Sequence, residues 1–327
     1  MSEPTAPSHD APRRPSAARM AVQIAGFVVG CALVGWCAVR AFHDGADGLA
    51  KLREADPALV ATLLGATLVS TICSGLTFQT LARPVHRFGF IAMQAVNLMA
   101  SLFNYAPVRL GLVLRLGFHW KVDRMPLTTS VAWLAAVALV TFGTLASAIV
   151  AGLAQLAAAG GEAALDIVWF ATYFGCLALG ATTTVLLCRT AGFRKLLRGG
   201  ERVLTDPRAF AGGLAFRTVD LAMWGVRMWA AAKIVGLTLS PAQAVLLAAV
   251  AILGAGNPLG RIGWREALVA VVAPMVATSA ADGQDLDALF AQLALLESAG
   301  EAAVAIPLGI LGAIWCGQRL RRIPSSA

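Results

Sequence analysis

Charged side chains are scarce in this chain. Asp, Glu, Lys and Arg make up 13% of its 327 residues, against about 25% in a soluble domain. With 58% hydrophobic residues and a mean hydropathy of +0.73, the composition excludes an ordinary water-soluble fold. Other things are missing too. There are no ten-residue segments of alternating polarity, which excludes a membrane β-barrel. The six cysteines, Cys31, Cys37, Cys73, Cys176, Cys188 and Cys316, contain no Cys-x-x-Cys pair, which removes zinc-site and disulfide-framework readings. No Gly-x-x-x-x-Gly-Lys-Ser/Thr loop offers a seat for ATP. The four histidines, His9, His43, His86 and His119, have no Ser or Cys partner suited to hydrolysis. No catalytic residue, metal or cofactor is therefore expected. No basic run alternates with aromatics as a strand-binding groove requires, so the net charge of +8 does not point to nucleic acid.

What the chain has instead is long apolar runs. Residues 20–42, 58–82, 126–154, 165–188, 211–236 and 288–316 each reach the roughly 20 residues that span a bilayer. Shorter runs occupy 88–106, 241–256 and 264–280. The expectation is an all-α polytopic membrane protein with about eight membrane segments. Residues 1–19, rich in Pro, Ser and Ala, read as a disordered tail. The run after them exceeds the 7–15 apolar residues of a signal peptide and reads as an uncleaved span. Residues 20–318 form one helical membrane domain, and 319–327 a basic tail. Loops alternate in charge along the chain. The segments around 83–87, 109–124, 189–208 and 319–322 are basic, whereas 43–57 and 281–287 are acidic. The excess of Lys and Arg places the basic loops and both termini on the cytoplasmic side, and the expected location is a cell's inner, cytoplasmic membrane.

Two places break the apolar pattern. The first is Asn104-Tyr-Ala-Pro-Val-Arg109-Leu-Gly111, running on to Arg115. The second is Asn257-Pro258-Leu-Gly260-Arg261-Ile-Gly263-Trp-Arg265-Glu266. Broken backbone is tolerated at membrane depth only where protein buries it or a watery cavity receives it. Paired breaks in the two halves of a chain are what an inverted-repeat transporter core shows. Whether 241–280 is two spans or one re-entrant hairpin stays open, because both leave the chain on the same side. A third polar set lies inside the 211–236 span. Arg217, Asp220, Trp224 and Arg227 share one helical face. A charged stripe is expected to turn away from lipid. Arg217 and Asp220 can neutralise each other at i,i+3, and Glu297 and Glu301 are candidate partners for Arg227. Expected substrate-binding residues are Asn104, Arg109, Gly111, Arg115, Asp220, Arg227, Asn257, Gly260, Gly263, Arg265 and Glu266.

At its two breaks the chain resembles the membrane-embedded flippase region of lysylphosphatidylglycerol synthases and the stand-alone flippase-like proteins related to it, some of them linked to hopanoid or polyprenyl-lipid pathways. The first family motif falls on Asn104, Pro107, Arg109, Gly111 and Arg115. The second falls on Pro258, Gly260, Gly263, Arg265 and Glu266. There are departures: Leu112 stands where a glutamate is usual, and Ala132, Trp133 and Leu134 stand where relatives often carry an acidic–Arg pair. The resemblance implies a flippase, not an enzyme, that moves an anionic phospholipid, an aminoacylated lipid or a polyprenyl- or hopanoid-linked lipid between leaflets. Without the soluble aminoacyl-transfer domain of the full synthases, this chain is not expected to make an aminoacylated lipid alone. Implied partners are anionic lipid headgroups, with lipid-biosynthesis enzymes and a second copy of the chain left open. Two other readings remain. One is an integral membrane enzyme of polyprenyl-phosphate metabolism, for which Glu54-Ala-Asp56 in the first external loop is the acidic-x-acidic signal. The other is a scaffold of a lipid-synthesis complex.

Overall fold

A computed structural model describes residues 17–41, 54–106, 110–159, 164–197, 201–256, 263–276 and 286–322. Every regular element among them is helical: α1 (Ala17–Ala41), α2 (Pro57–Ala82), α3 (Phe90–Phe103), α4 (Leu110–Lys121), α5 (Leu127–Ala159), α6 (Ile167–Leu187), α7 (Ala191–Leu197), α8 (Glu201–Thr205), α9 (Pro207–Val235), α10 (Pro241–Gly256), α11 (Trp264–Val276) and α12 (Leu286–Arg321). Five of these, α1, α2, α5, α6 and α12, are long and apolar enough to cross a membrane. The protein is an all-α integral membrane protein. The 29-residue α9 has the length of a span, and its charged residues are what lower its hydropathy.

Helix starts follow from local chemistry. Asp56 and Asp206 each precede a proline, and their carboxylates accept hydrogen bonds from the free N–H groups of Ala58, and of Arg208 and Ala209. The proline at the first helical position forfeits only a donor that has no partner there anyway. Asp166 caps α6 by accepting from the Trp169 N–H at 2.8 Å. That bond, with help from the Gln155 side chain, holds the Asp166 carboxyl below the usual carboxylate range. A depressed folded value means that the cap stabilises at neutral pH and that its contribution is lost as acid protonates the group. Asp166→Ala should therefore lower the melting temperature at pH 7, and the two proteins should converge as the pH falls. An equal difference at all pH values would reject the cap as the cause.

The core is built from two units of inverted order. The first runs α2, hairpin α3/α4, α5. The second runs α9, hairpin α10/α11, α12. The central pair, α2 and α9, packs more extensively than any other pair among the described helices. It is antiparallel: Gly212 and Gly213 near the start of α9 face Thr80 and Leu81 near the end of α2. Further contacts exchange between units. The α3 helix packs on α12 as α10 packs on α5, and α2 packs on α12 as α9 packs on α5. Glycines allow the closest of these approaches, with Gly309 and Gly312 of α12 lying against the α3 backbone at Leu98 and Ala95.

The described hairpin arms have 14, 12, 16 and 13 residues. At 1.5 Å per residue they are about 18–24 Å long, short of the roughly 30 Å hydrocarbon layer. These lengths favour re-entry over two separate crossings for 241–280, and they favour it equally for 88–121. Two apolar clusters bracket the centre. Leu81, Met93, Trp133, Val137 and Leu204 pack at one end, and Met228, Leu237, Leu247, Phe290 and Leu293 at the other. Helices α1 and α6 are peripheral: α1 lies on α11 and α12, and α6 mainly on α5.

Candidate functional site

Between the two apolar clusters lies a polar layer, and in it a cavity of about 350 Å³. Its lining comes from α2, α3, α5, α9, α10 and α12, the members of both inverted units. Asn104 and Gly256, the residues flanking the two sequence breaks, both line it. The described ends of α3 and α10, next to the two breaks, therefore reach one cavity. Tyr105, from the first tip, also lies within electrostatic reach of the Arg265 guanidinium at the second.

The charged stripe of α9 faces this cavity. Arg217, Asp220, Trp224 and Arg227 all line it. Arg217 pairs with Asp220, and Ser70 of α2 donates to the same carboxylate. Arg227 is fully buried, stacks over Trp224 at 4.1 Å and pairs with Glu297 and Glu301 of α12. These are the partners that spacing suggested. Burying such charges is tolerable only because each is paired.

The second break supplies the rest of the network. Arg265 is 2% exposed. It pairs with Glu301, reaches Glu297 at 3.6 Å and Glu266 at 3.3 Å, and donates to Ser298. Glu301 lines the cavity and is shared by Arg227 and Arg265, so Arg265 stands one residue behind the wall. Glu266 reaches back to the Gly263 N–H at 2.7 Å, closing the first turn of α11 as the acidic member of a capping box does. Gly263 itself has φ +84, and a Cβ there would fall 1.8 Å from the Gly30 carbonyl of α1. Both its backbone conformation and its space require glycine.

The first break is arranged differently. Gly111 does not line this cavity: a Cβ would meet the Ala100 carbonyl at 2.1 Å and the Asn104 Oδ1 at 2.4 Å. It lets the two arms of the hairpin close. Arg115 is buried behind the wall, donates to Asn97 Oδ1 at 2.7 Å and lies 3.7 Å over the Phe78 ring. Among the described residues it has no carboxylate partner. Asn97 in turn donates to the Thr71 carbonyl and lines the cavity. Trp133 is fully buried and donates to the Phe78 carbonyl at 3.2 Å.

Of the expected site residues, Asn104, Asp220 and Arg227 line the cavity, Arg115 and Arg265 support it from behind, and Gly111, Gly263 and Glu266 shape the hairpins. Arg109, Asn257 and Gly260 lie outside the described residues. Sequence reasoning did not select the small polar face of α2, where Ser70, Thr71 and Ser74 join Ser101 and Thr141 at the wall. The signal was present: Thr67, Ser70, Ser74 and Thr77 recur at helical spacing within an otherwise apolar span. The Asp56 carboxylate is engaged as the α2 cap, and among the described residues no His, Cys, Asp and Glu group is suited to a metal ion.

The family model of the lysylphosphatidylglycerol synthase TM region matches residues 23–283. The chain belongs to this family. No curated protein and no solved structure matches it. In this lysylphosphatidylglycerol synthase TM-region protein the matched residues include both hairpins and the α9 stripe, and they stop short of α12. Glu297 and Glu301, which neutralise Arg227 and Arg265, thus lie beyond the matched part and are supplied by the C-terminal helix.

Proposed function

We propose that this protein carries the polar headgroup of an anionic membrane lipid between leaflets. The observation that carries the reading is the placement of the cavity beside the residues flanking both breaks, Asn104 and Gly256, among helices of both inverted units. A charged group at the bilayer centre costs at least about 3 kcal/mol even on the mildest scale. A polar layer of paired arginines, amides and hydroxyls substitutes for headgroup hydration while the acyl chains remain in lipid. Inverted units joined at a central site are the arrangement in which one half rocks against the other to expose the site alternately. Arg115, whose charge is answered among the described residues by an amide and an aromatic face, gives the wall the sign that suits a phosphate.

The basic loops then face the cytoplasm together with both termini, and the protein resides in the cytoplasmic membrane. Exchange requires no bound nucleotide in this reading. The test is reconstitution of the purified protein into liposomes containing a labelled anionic phospholipid. Leaflet exchange should rise at least tenfold over empty liposomes, and Asn104→Leu, which replaces a polar lining group without touching an ion pair, should remove most of that gain. No acceleration by folded protein would reject transport. Unchanged exchange in Asn104→Leu would reject the cavity as its route. An enzyme reading built on Glu54-Ala-Asp56 would instead require metal-dependent turnover that Asp56→Ala abolishes.

A further inference from the structure

The walls of the cavity are chemically unequal, and the inequality selects among headgroups. One wall carries the α9 stripe and Glu301. Its two carboxylates are already engaged: Asp220 holds Arg217 and Ser70, and Glu301 holds both Arg227 and Arg265. An ammonium group entering here would meet Arg217 and Arg227, with Arg265 just behind, and could gain a carboxylate only by displacing one of these arginines. Breaking a buried pair strands a charge in a medium that screens it poorly. The site therefore disfavours an amine.

The other wall is uncharged and made for hydroxyls. Ser74, Asn97, Ser101, Asn104 and Thr141 line it from three helices. Among the described residues the hydroxyls of Ser74, Ser101 and Thr141 face the cavity without a partner that the fold needs. Hydroxyls and amides both donate and accept, so they can match the mixed donor and acceptor set of a sugar or polyol. Behind this wall stands Arg115, coupled to the cavity through Asn97 at 2.7 Å and through Phe78. A guanidinium with no carboxylate of its own among the described residues complements a single phosphodiester.

Resting on the transport reading above, we propose that the lipid this cavity takes has a sugar or polyol headgroup carried on a phosphodiester, and that amine-bearing headgroups are rejected. The same chemistry occurs in soluble polyol phosphates, so the test must separate the two sources. Liposomes containing the intact protein are prepared with labelled phosphatidylinositol, phosphatidylethanolamine or lysylphosphatidylglycerol, and in a fourth arm with entrapped inositol 1-phosphate. Phosphatidylinositol should exchange at least tenfold faster than either amine-bearing lipid, a difference of about 1.4 kcal/mol in barrier, and inositol 1-phosphate should be retained. Exchange of the amine-bearing lipids at an equal or higher rate overturns the headgroup assignment and leaves transport standing. Release of inositol 1-phosphate without lipid exchange overturns the assignment to a lipid. No exchange of any lipid rejects the transport reading itself. As a second measurement, Ser74→Ala combined with Ser101→Ala should bring the rate ratio between phosphatidylinositol and phosphatidylethanolamine towards one. Selectivity that survives both changes would show that the hydroxyl wall does not produce it.

Discussion

Arg265→Leu should destabilise the folded protein by about 3–5 kcal/mol, the range seen when one partner of a buried ion pair is removed. The guanidinium is 2% exposed and answers Glu301, Glu297 and Glu266 at once. Its loss leaves carboxylates in a layer closed at one end by the Leu237, Leu247 and Phe290 cluster, where water is scarce. The double variant Arg265→Leu/Glu301→Leu should be more stable than the single one. It leaves Arg227 with Glu297, and only Glu266 without a cation, held by Ser298 and the Gly263 N–H, so fewer buried charges are left unanswered. Chemical unfolding in detergent micelles, followed through the four members of the mutant cycle, measures this directly. Additive losses, or a single-variant loss under about 1 kcal/mol, would mean that the network does not hold the second hairpin in place.

The second large effect is expected at a residue that touches no charge. In Gly111→Ala the new methyl would lie 2.1 Å from the Ala100 carbonyl and 2.4 Å from Asn104 Oδ1. A backbone oxygen cannot yield as a flexible side chain can, so α3 and α4 must separate. Overpacking of this kind costs about 1–3 kcal/mol, and here the displaced group is Asn104, which lines the cavity. Leaflet exchange should fall about tenfold or more while the protein stays folded, because positioning errors near 1 Å at a site have effects of that order. Gly117→Ala is the matched control, since nothing lies within 4 Å of a Cβ at that position of the same helix. Equal exchange in Gly111→Ala and Gly117→Ala would detach hairpin closure from transport.

Much of the architecture was legible in local chemistry. The apolar runs at 58–82, 165–188, 211–236 and 241–256 fall within a few residues of α2, α6, α9 and α10, because a helix in lipid must satisfy its own backbone and so persists as long as the run does. The Asp-Pro pairs at 56–57 and 206–207 mark two of the starts. The α9 stripe was legible for the same reason: charged residues at offsets of 0, 3, 7 and 10 cannot all avoid lipid unless that face turns inward. The Arg217–Asp220 pair needs only the helix itself.

Other features depend on distances that no local pattern encodes. The charge of the loops cannot separate a re-entrant hairpin from two spans, since both return the chain to the same side. The short arms and their packing against α12 and α5 favour the hairpin. Glycine at 111 reads as a cavity residue in sequence and proves to be a contact residue, because its role is set by how closely α3 approaches. The sequence alone determined that this is a helical membrane protein with a polar interior and two broken segments, since hydrophobic length and the cost of exposed charge act residue by residue. Tertiary structure decided that residues flanking both breaks line one cavity, that Glu301 serves Arg227 and Arg265 together, and that hydroxyls join them in its lining. Those pairings join residues from 36 to 150 positions apart, and only the packing of one helix on another brings them within hydrogen-bonding reach.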